Sequence, residues 1–290
     1  MSEDNVDKFN SNNDFELTAL ILTYNSERLI KACLESLAFC TRIIVVDSHS
    51  TDNTQQIVKD FGATLLIRAW EGPYPQLQFG FKYIEENIVN ANPKLKHWIL
   101  CIDSDEVCDL ALQKNIQQVL TEPTLEQKEC TAFGINRLSW YYDRFMYHSS
   151  WHPDWLNRLF VFGELEIKMS GAHYSFHPKS KAGKLDGLLY HYPYTGFFNQ
   201  LEKLNSYAEQ GANDLRKKGR KGGILVGLIH AKVCFIRKYI LKRGFLDGRA
   251  GFILAAHDAF YTFLKYVRIP DASWGKPYNH FESQQQAKKN

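Results

Sequence analysis

The sequence predicts an α/β domain, a parallel sheet covered by helices on both faces, followed by a helical extension. As far as about residue 102, short, continuously apolar segments rich in β-branched residues alternate with helical patterns. Strands buried on both faces of a parallel sheet read in this way. Each apolar segment runs into a polar cluster, and past residue 197 only helical patterns remain.

The elements follow in order. LTALIL (17–22) is a buried strand that ends at Thr23-Tyr24-Asn25. Ser26 then stands where a helix N-cap belongs, with Leu29, Ile30, Cys33, Leu34 and Leu37 at helical spacing behind it. IIVVD (43–47) is a second strand, closed by the turn SHSTDN. TQQIVKDF (54–61) is a helix with Gly62 as its C-cap. TLLI (64–67) and, after a further helix, HWILCI (97–102) are the third and fourth strands. From about 131 two longer strands, AFGINRLSWYY and NRLFVFG, flank an aromatic connector, FMYHSSWHPDW. Helices are expected at about 197–218, 224–243 and 250–267. The organisation is a polar tail (1–15), an α/β domain (16–195), a helical extension (196–268) and a second polar tail (269–290).

With 44% hydrophobic and 23% charged residues, the 290-residue chain can bury a sizeable core. A net charge of +3 is too small to argue for nucleic acid. The basic residues that cluster between Arg216 and Arg249 lie on apolar helices rather than on a polar, aromatic-bearing sheet, so no nucleic-acid partner is expected. The six cysteines form no CxxC pair; Cys33 and Cys101 sit in apolar runs, as small buried hydrophobes do, which suits a reducing, cytosolic setting. The acidic N-terminus is no secretory signal and reads as a disordered tail. No apolar run reaches the ~18 residues that a membrane-spanning helix needs.

The chemistry concentrates in WILCIDSDEV (98–107), where a buried strand runs into Asp103, Asp105 and Glu106. Like charges this close raise the cost of ionising one another. Residues two apart in an extended segment point to one side, so Asp103 and Asp105 can face one ligand. Hard carboxylate oxygens suit Mg²⁺ or Mn²⁺ on a diphosphate. The chain has neither G-x-G-x-x-G after its first strand nor G-x-x-x-x-G-K-[ST], so a glycine-rich phosphate cradle is absent. In open α/β sheets ligands bind beyond the carboxyl ends of the strands, where Asn25, Asp47 and the 103–106 cluster all lie.

LTYNSERLIKACLESL, IIVVDSHSTDNTQQIVKDFGA and CIDSDE resemble the nucleotide-binding half of a family 2 glycosyltransferase of the GT-A fold. WHPDWLNRLF, LLYHYPY, KLNSYAEQGA and KRGFLDGRAGF (242–252) are similar to bacterial enzymes that add sugars to the lipopolysaccharide core, the β-1,4-glucosyltransferase type among them. The resemblance spans about residues 16 to 268. It implies an inverting transfer of a hexose, glucose from a UDP-sugar, to a lipopolysaccharide or lipooligosaccharide core acceptor. A capsule or other lipid-linked glycan is the alternative acceptor, and a non-catalytic, membrane-associated scaffold the rival class.

Carried over, the resemblance places Thr23, Tyr24 and Asn25 in the nucleoside pocket, with Glu27 near the ribose or base. Asp47 would accept a hydrogen bond from the uracil ring, and Ser48 and Ser50 would shape its turn. Asp103, with Ser104 beside it, would approach the ribose and the metal, and Asp105 would bind the metal. Two departures stand out. The third loop usually shows a Gln-Arg-Asn-like run; here PQLQFGF keeps the amides Gln76 and Gln78 without the cation. Relatives also carry His-Glu where this chain has His173-Tyr174, so that Glu cannot serve here as the base.

An inverting transfer needs one carboxylate to deprotonate the acceptor hydroxyl. Asp154 is the first candidate and Glu106 the second, with an Asp154–Arg158 ion pair as the structural alternative. Trp151, Trp155 and Arg158 are the candidate acceptor contacts, Trp151 and Trp155, like Trp140, offering flat faces to a sugar. His191 is a candidate third metal ligand. Apolar helices ending in RKYILKR and KYVR fit an anionic inner leaflet, the place to meet a lipid-anchored acceptor. The chain is then expected in the cytoplasm, peripheral on the inner face of the cytoplasmic membrane.

Overall fold

The computed structural model describes residues 14–170 and 173–270, so most of both polar tails lies outside the described residues. The chain divides after Pro193 into two compact units.

The first unit opens as the sequence predicts. Strand β1 (Phe15–Thr23) is flanked by β2 (Arg42–Asp47) and β4 (Lys96–Asp103), both parallel to it, and β3 (Thr64–Ile67) extends β2. Helices α1 (Ile30–Glu35), α2 (Thr54–Phe61) and α3 (Pro73–Ile84) connect them. Gly62 closes α2 in the left-handed conformation, φ 81°. On β1 the side chains alternate: Leu17, Ala19 and Ile21 join the core under α1, while Leu20 joins that under α3. A Cβ on Gly80 of α3 would lie 2.7 Å from Leu20 and 3.2 Å from Val46, so glycine lets that helix lie close against the sheet.

Ser26 departs from its expected role. The α1 N-cap is Leu29, without a side-chain cap, and the Ser26 hydroxyl instead meets that of Ser104 at 2.8 Å. The Ser26 carbonyl accepts the first amides of the turn, from Leu29 and Ile30.

Beyond β4 the sheet becomes mixed. Strand β5 (Glu106–Cys108) leads into α4 (Leu110–Thr121) and α5 (Leu125–Lys128); β6 (Ala132–Tyr141) pairs with the short β7 (Arg144–Phe145); β8 (Asp154–Val161) follows. The hairpin β9 (Leu165–Ser170) and β10 (His173–Pro178) stands apart, and β11 (Ala182–His191) ends the unit. The strand order is β3-β2-β1-β4-β8-β6-β11-β5, with β8 antiparallel to both β4 and β6. The fold class is therefore α/β as expected, with the parallel pairing concentrated in its first half.

Two residues, Ser104 and Asp105, separate β4 from β5, although three strands lie between them in the sheet. Four strand spacings of ~4.8 Å would exceed the ~11 Å that three Cα steps of chain can reach. The sheet must curl, and its curl gathers the ends of β4, β5, β6 and β8 around the 103–106 turn.

In the second unit, α6 (Phe197–Lys217) is followed by α7 (Ile224–Phe235), which widens into a π-helical stretch, Ile236–Leu241, and by α8 (Gly248–Val267). Helix α7 packs on α8 at Gly227, where a Cβ would come within 3.1 Å of the Phe263 ring and carbonyl. No helix among the described residues is long and apolar enough to cross a membrane.

Candidate active site

The registers of β1 with β2 and β4 place Thr23 opposite Asp47 and Leu22 opposite Asp103, so three polar strand ends share one rim. Asp47 is wholly buried. Its Oδ1 accepts from the Ser50 amide at 2.9 Å and the Gln55 side chain at 2.7 Å; its Oδ2 accepts from the hydroxyls of Thr23, at 2.9 Å, and Ser50. A carboxylate offers about four lone-pair sites, and four donors fill them. With these contacts Asp47 holds the turn that follows β2.

The same turn is tied to the loop after β1. Asn25, in the left-handed region at φ 47°, accepts from the Thr51 amide at 2.8 Å, and its own amide donates to Ser50 Oγ at 2.8 Å. Glu27, expected near the ribose, accepts from the backbone and side chain of Asn53, both at 3.0 Å. Tyr24 stays 62% exposed on the rim. Ser48 accepts from Gln76 Nε2 at 2.8 Å, and Gln76 also donates to the Arg68 carbonyl at 3.0 Å. The buried Gln76 Oε1 has no hydrogen-bond partner among the described residues. Arg68, at the end of β3, ion-pairs with Glu71, so a cation absent from PQLQFGF stands a few residues earlier.

The acidic cluster is held by arginines that the sequence reading did not assign to it. Arg158, buried on β8, donates through Nη2 to Asp103 Oδ2 at 2.5 Å and to Glu106 Oε1 at 3.0 Å. Tyr174 donates its hydroxyl to Asp103 Oδ1 at 2.7 Å and accepts from Arg158 Nη1 at 3.1 Å. Arg137 on β6 donates from Nη1 to Glu106 Oε1 at 3.2 Å and pairs with Asp154 Oδ2 through Nε and Nη2 at 2.9 and 2.8 Å. The second Glu106 oxygen accepts the Asp103 amide at 2.9 Å, closing the turn.

Charge follows from this wiring. Burial pushes the Asp103 carboxyl up, but the Arg158 guanidinium and the Tyr174 hydroxyl outweigh it and hold the group at about 2. Burial pushes Glu106 above the usual carboxylate range, with the nearby Asp103 charge adding to it against the two arginines. Arg158 is held charged by the two carboxylates against its own burial.

One expectation changes as a result. Arg158, a candidate acceptor contact, bridges Asp103 and Glu106 and also lines the pocket beside Asp103. It does not pair with Asp154, because the segment is a strand, in which residues four apart lie ~13 Å apart. Asp154 instead stands directly opposite Arg137 in the β6–β8 register. Glu106 is wholly buried, whereas the Asp154 side chain is 35% exposed. Of the two base candidates, Asp154 is the one open to solvent.

Asp105 and His191 adjoin each other, with His191 Nε2 3.8 Å from Asp105 Oδ2. The other ring nitrogen, Nδ1, meets the Ser139 hydroxyl at 2.8 Å, which orients the ring as a hydrogen-bonded ligand histidine is oriented. Among the described residues no group of three His, Cys, Asp or Glu could hold a metal ion. A carboxylate and an imidazole fit a divalent cation whose remaining ligands are diphosphate oxygens and water. Asp103 fits that role less well, since both its oxygens already serve Tyr174 and Arg158.

A pocket of about 470 Å³ opens beside Asp103, lined by Arg137, Trp155, Arg158, Tyr174 and His177 among others. Trp155 is half-exposed there, with the Lys184 ammonium 4.6 Å from its ring. Trp151 packs edge-on against buried Tyr141, with ring centroids 5.3 Å apart, and Trp140 against Phe145 at 5.1 Å. Arg137 and Tyr174 are the residues the sequence reading missed. A cation inside the apolar run AFGINRLSWYY must find a buried partner, and that is the signal that could have found Arg137. His173, the neighbour of Tyr174, lies at the start of β10.

Acidic and amide side chains thus converge on the carboxyl ends of the parallel strands, where ligands bind in open α/β sheets. The chain belongs to glycosyl transferase family 2, whose model matches residues 18–178. It is 28% identical over 274 residues to an uncharacterized glycosyltransferase of Rickettsia prowazekii, covering 89% of this chain and 88% of the relative. It is 26% identical over 265 residues to LpsC of Rhizobium meliloti, a lipopolysaccharide core biosynthesis glycosyltransferase, covering 87% and 91%. Among solved structures, glucosyl-3-phosphoglycerate synthase from Mycobacterium tuberculosis, in complex with Mn²⁺, uridine diphosphate and glucosyl-3-phosphoglycerate, is similar at 17% identity. That match has a TM-score of 0.31 and covers 43% of this chain and 44% of the other.

Proposed function

We propose that this glycosyltransferase moves a hexose, glucose from a UDP-sugar, with inversion, to a saccharide of the lipopolysaccharide or lipooligosaccharide core. The observation that carries the reading is the alignment of β1, β2 and β4, which sets the Thr23–Asn25 loop, the Asp47–Ser50 turn and Asp103–Asp105 along one rim. The first two build the walls of a nucleoside pocket, and the third faces the diphosphate.

In this reading Asp47, Glu27 and Gln76 act by fixing the loops, while Thr23, Tyr24, Asn25, Ser48, Asp103 and Ser104 line the donor site. Asp105 and His191 would hold Mg²⁺ or Mn²⁺, which when bound supplies positive charge to the departing diphosphate. Asp154 takes the proton of the acceptor hydroxyl as that oxygen attacks the anomeric carbon opposite the diphosphate, and the configuration inverts. Arg137 holds Asp154 in place. Trp155 borders the acceptor pocket. The acceptor is lipid-anchored, and the protein works from the cytoplasmic side of the membrane that carries it.

The test is donor hydrolysis and transfer across UDP-, GDP- and ADP-sugars, with Mg²⁺, Mn²⁺ or EDTA. Turnover of a UDP-hexose that EDTA abolishes and Asp105→Asn eliminates, with folding intact by circular dichroism, is the expected result. Turnover indifferent to both would remove the assigned role of Asp105. No turnover with any donor would favour a scaffold that kept the fold.

A further inference from the structure

Helix α7 and the turns after it are built inside out. The side of α7 that faces α8 follows the spacing Gly223, Gly227, His230, Cys234, Lys238. Along it Gly227 meets Phe263, His230 stacks on Tyr266 with ring centroids 4.0 Å apart, and Lys238 forms an ion pair with Asp258. The opposite side carries Leu225, Leu228, Ile229, Val233, Ile236 and Ile240, all exposed, Leu225 at 71% and Ile229 at 56%. A helix that packs in a water-soluble bundle turns its apolar stripe inward and its polar residues outward. Here His230 and the Lys238–Asp258 pair lie in the contact beside Gly227 and Phe235, while six aliphatic side chains point away with exposed Lys232 among them. Leu241 (71% exposed), Phe245 and Leu246 continue that apolar surface beyond the helix.

The charge around this surface says what it meets. Between Gly219 and His257 the chain has eight Lys and Arg and one acidic residue, Asp247, which is buried. Two copies meeting face to face would oppose these cations to each other, which disfavours self-association. An interface of acyl chains beneath anionic headgroups satisfies both features: the aliphatic side chains enter the acyl boundary, and long basic side chains reach back to the headgroups. No helix of the described residues is long and apolar enough to span the bilayer, so the geometry is that of a helix lying in the surface.

We infer that the α7 face, from Leu225 to Leu246, is a docking surface for an anionic lipid monolayer. The site chemistry of the first unit plays no part in this inference, so its test reads binding and not turnover.

The full-length protein is floated with vesicles of phosphatidylcholine alone and of phosphatidylcholine mixed with phosphatidylglycerol, at low and high salt. It should partition onto the mixed vesicles and be released as salt screens the attraction. The pair Arg237→Gln and Lys242→Gln, both at exposed positions, should weaken partitioning about 30-fold, from the contribution of each basic residue near such a surface. Leu225→Glu with Ile229→Glu should abolish it, while hydrolysis of the nucleotide-sugar donor in solution stays as it was. Equal partitioning onto both vesicle types, or none on either, overturns the inference. So does a concentration-dependent dimer by light scattering that Leu225→Glu dissolves, for then the face belongs to a second copy.

Discussion

The parallel half of the sheet and the mixed half meet at Asp103, and they hold their carboxylates by opposite means. In the parallel half, Asp47 is saturated by hydroxyls, an amide side chain and a backbone amide, all neutral. In the other half, Asp103, Glu106 and Asp154 are held by two guanidinium groups, with Tyr174 as the neutral donor between them. Neutral donors fix the shape of a loop and leave its net charge unchanged. Guanidinium groups bring positive charge as well, which at the 103–106 turn offsets the repulsion between Asp103 and Glu106. The first half builds a shape and the second sets a charge.

Breaking the charged half should produce the largest effect. Arg158→Met leaves Asp103 and the buried Glu106 without their shared guanidinium, with Arg137 still in contact with Glu106. Removing one partner of a buried ionic network destabilises by about 3–5 kcal/mol. Urea unfolding should show a loss of that size, along with loss of donor binding by calorimetry. A loss below about 1 kcal/mol would mean that water or rearrangement compensates the two acids, and that the network does not hold the site.

Asp154→Asn separates chemistry from scaffolding within the same half. If Asp154 takes the acceptor proton, kcat should fall about 10²–10⁴-fold while the donor Kd is retained, because the donor loops lie on other strands. Glu106→Gln should behave in the reverse way, weakening donor binding through the turn that Glu106 closes. If Asp154→Asn turns over normally while Glu106→Gln is inactive with its affinity intact, the base is Glu106.

The neutral half should respond more mildly. Asp47→Asn replaces one accepting oxygen with an amide NH2 group that faces donors, so at least one of the Ser50, Gln55 or Thr23 groups is left unpaired in the interior. That costs about 1–3 kcal/mol, and it should appear as a lower Tm together with a weakened donor Kd and a kcat close to wild type. An unchanged Kd would show that the turn does not border the donor.

The two halves were also unequally legible. The parallel strands could be read from continuous apolar runs, since burial on both faces leaves no alternation to confuse, and helix α2 and its glycine cap followed from local spacing. The rim followed from the rule that ligands gather at strand ends. The arginine network could not be read in this way. Arg137 and Arg158 are 31 and 52 residues from Glu106, and only the curl of the sheet brings them to it. An Asp154–Arg158 pair looked natural at a separation of four, which is a helical separation; the strand conformation of that segment sends the two side chains to different partners. Tyr174 stood out only as the residue at the place of the relatives' Glu, and its contact with Asp103 depends on where the β9–β10 hairpin is placed.

Tyr174→Phe is the smallest perturbation and the sharpest on the boundary between the halves. The substitution removes one oxygen, which donates to Asp103 Oδ1 and accepts from Arg158 Nη1. The ring contact with Phe176, edge-on at 5.3 Å, is kept, so packing changes little. Arg158 Nη2 still reaches Asp103 Oδ2, so the carboxylate keeps its charge partner and loses only the group that fixes its second oxygen. A net hydrogen bond of this kind contributes on the order of 1 kcal/mol, at the lower end here because the Asp103 side chain is 34% exposed. If Tyr174 aims Asp103 at the donor, the donor Kd should rise about fivefold and KM with it, while kcat at saturation is retained. A purely structural hydroxyl would instead lower Tm and leave Kd alone. The two outcomes separate in a single calorimetric titration run beside a melting curve, and a Kd equal to wild type would confine Tyr174 to packing and leave Arg158 alone as the group that sets Asp103.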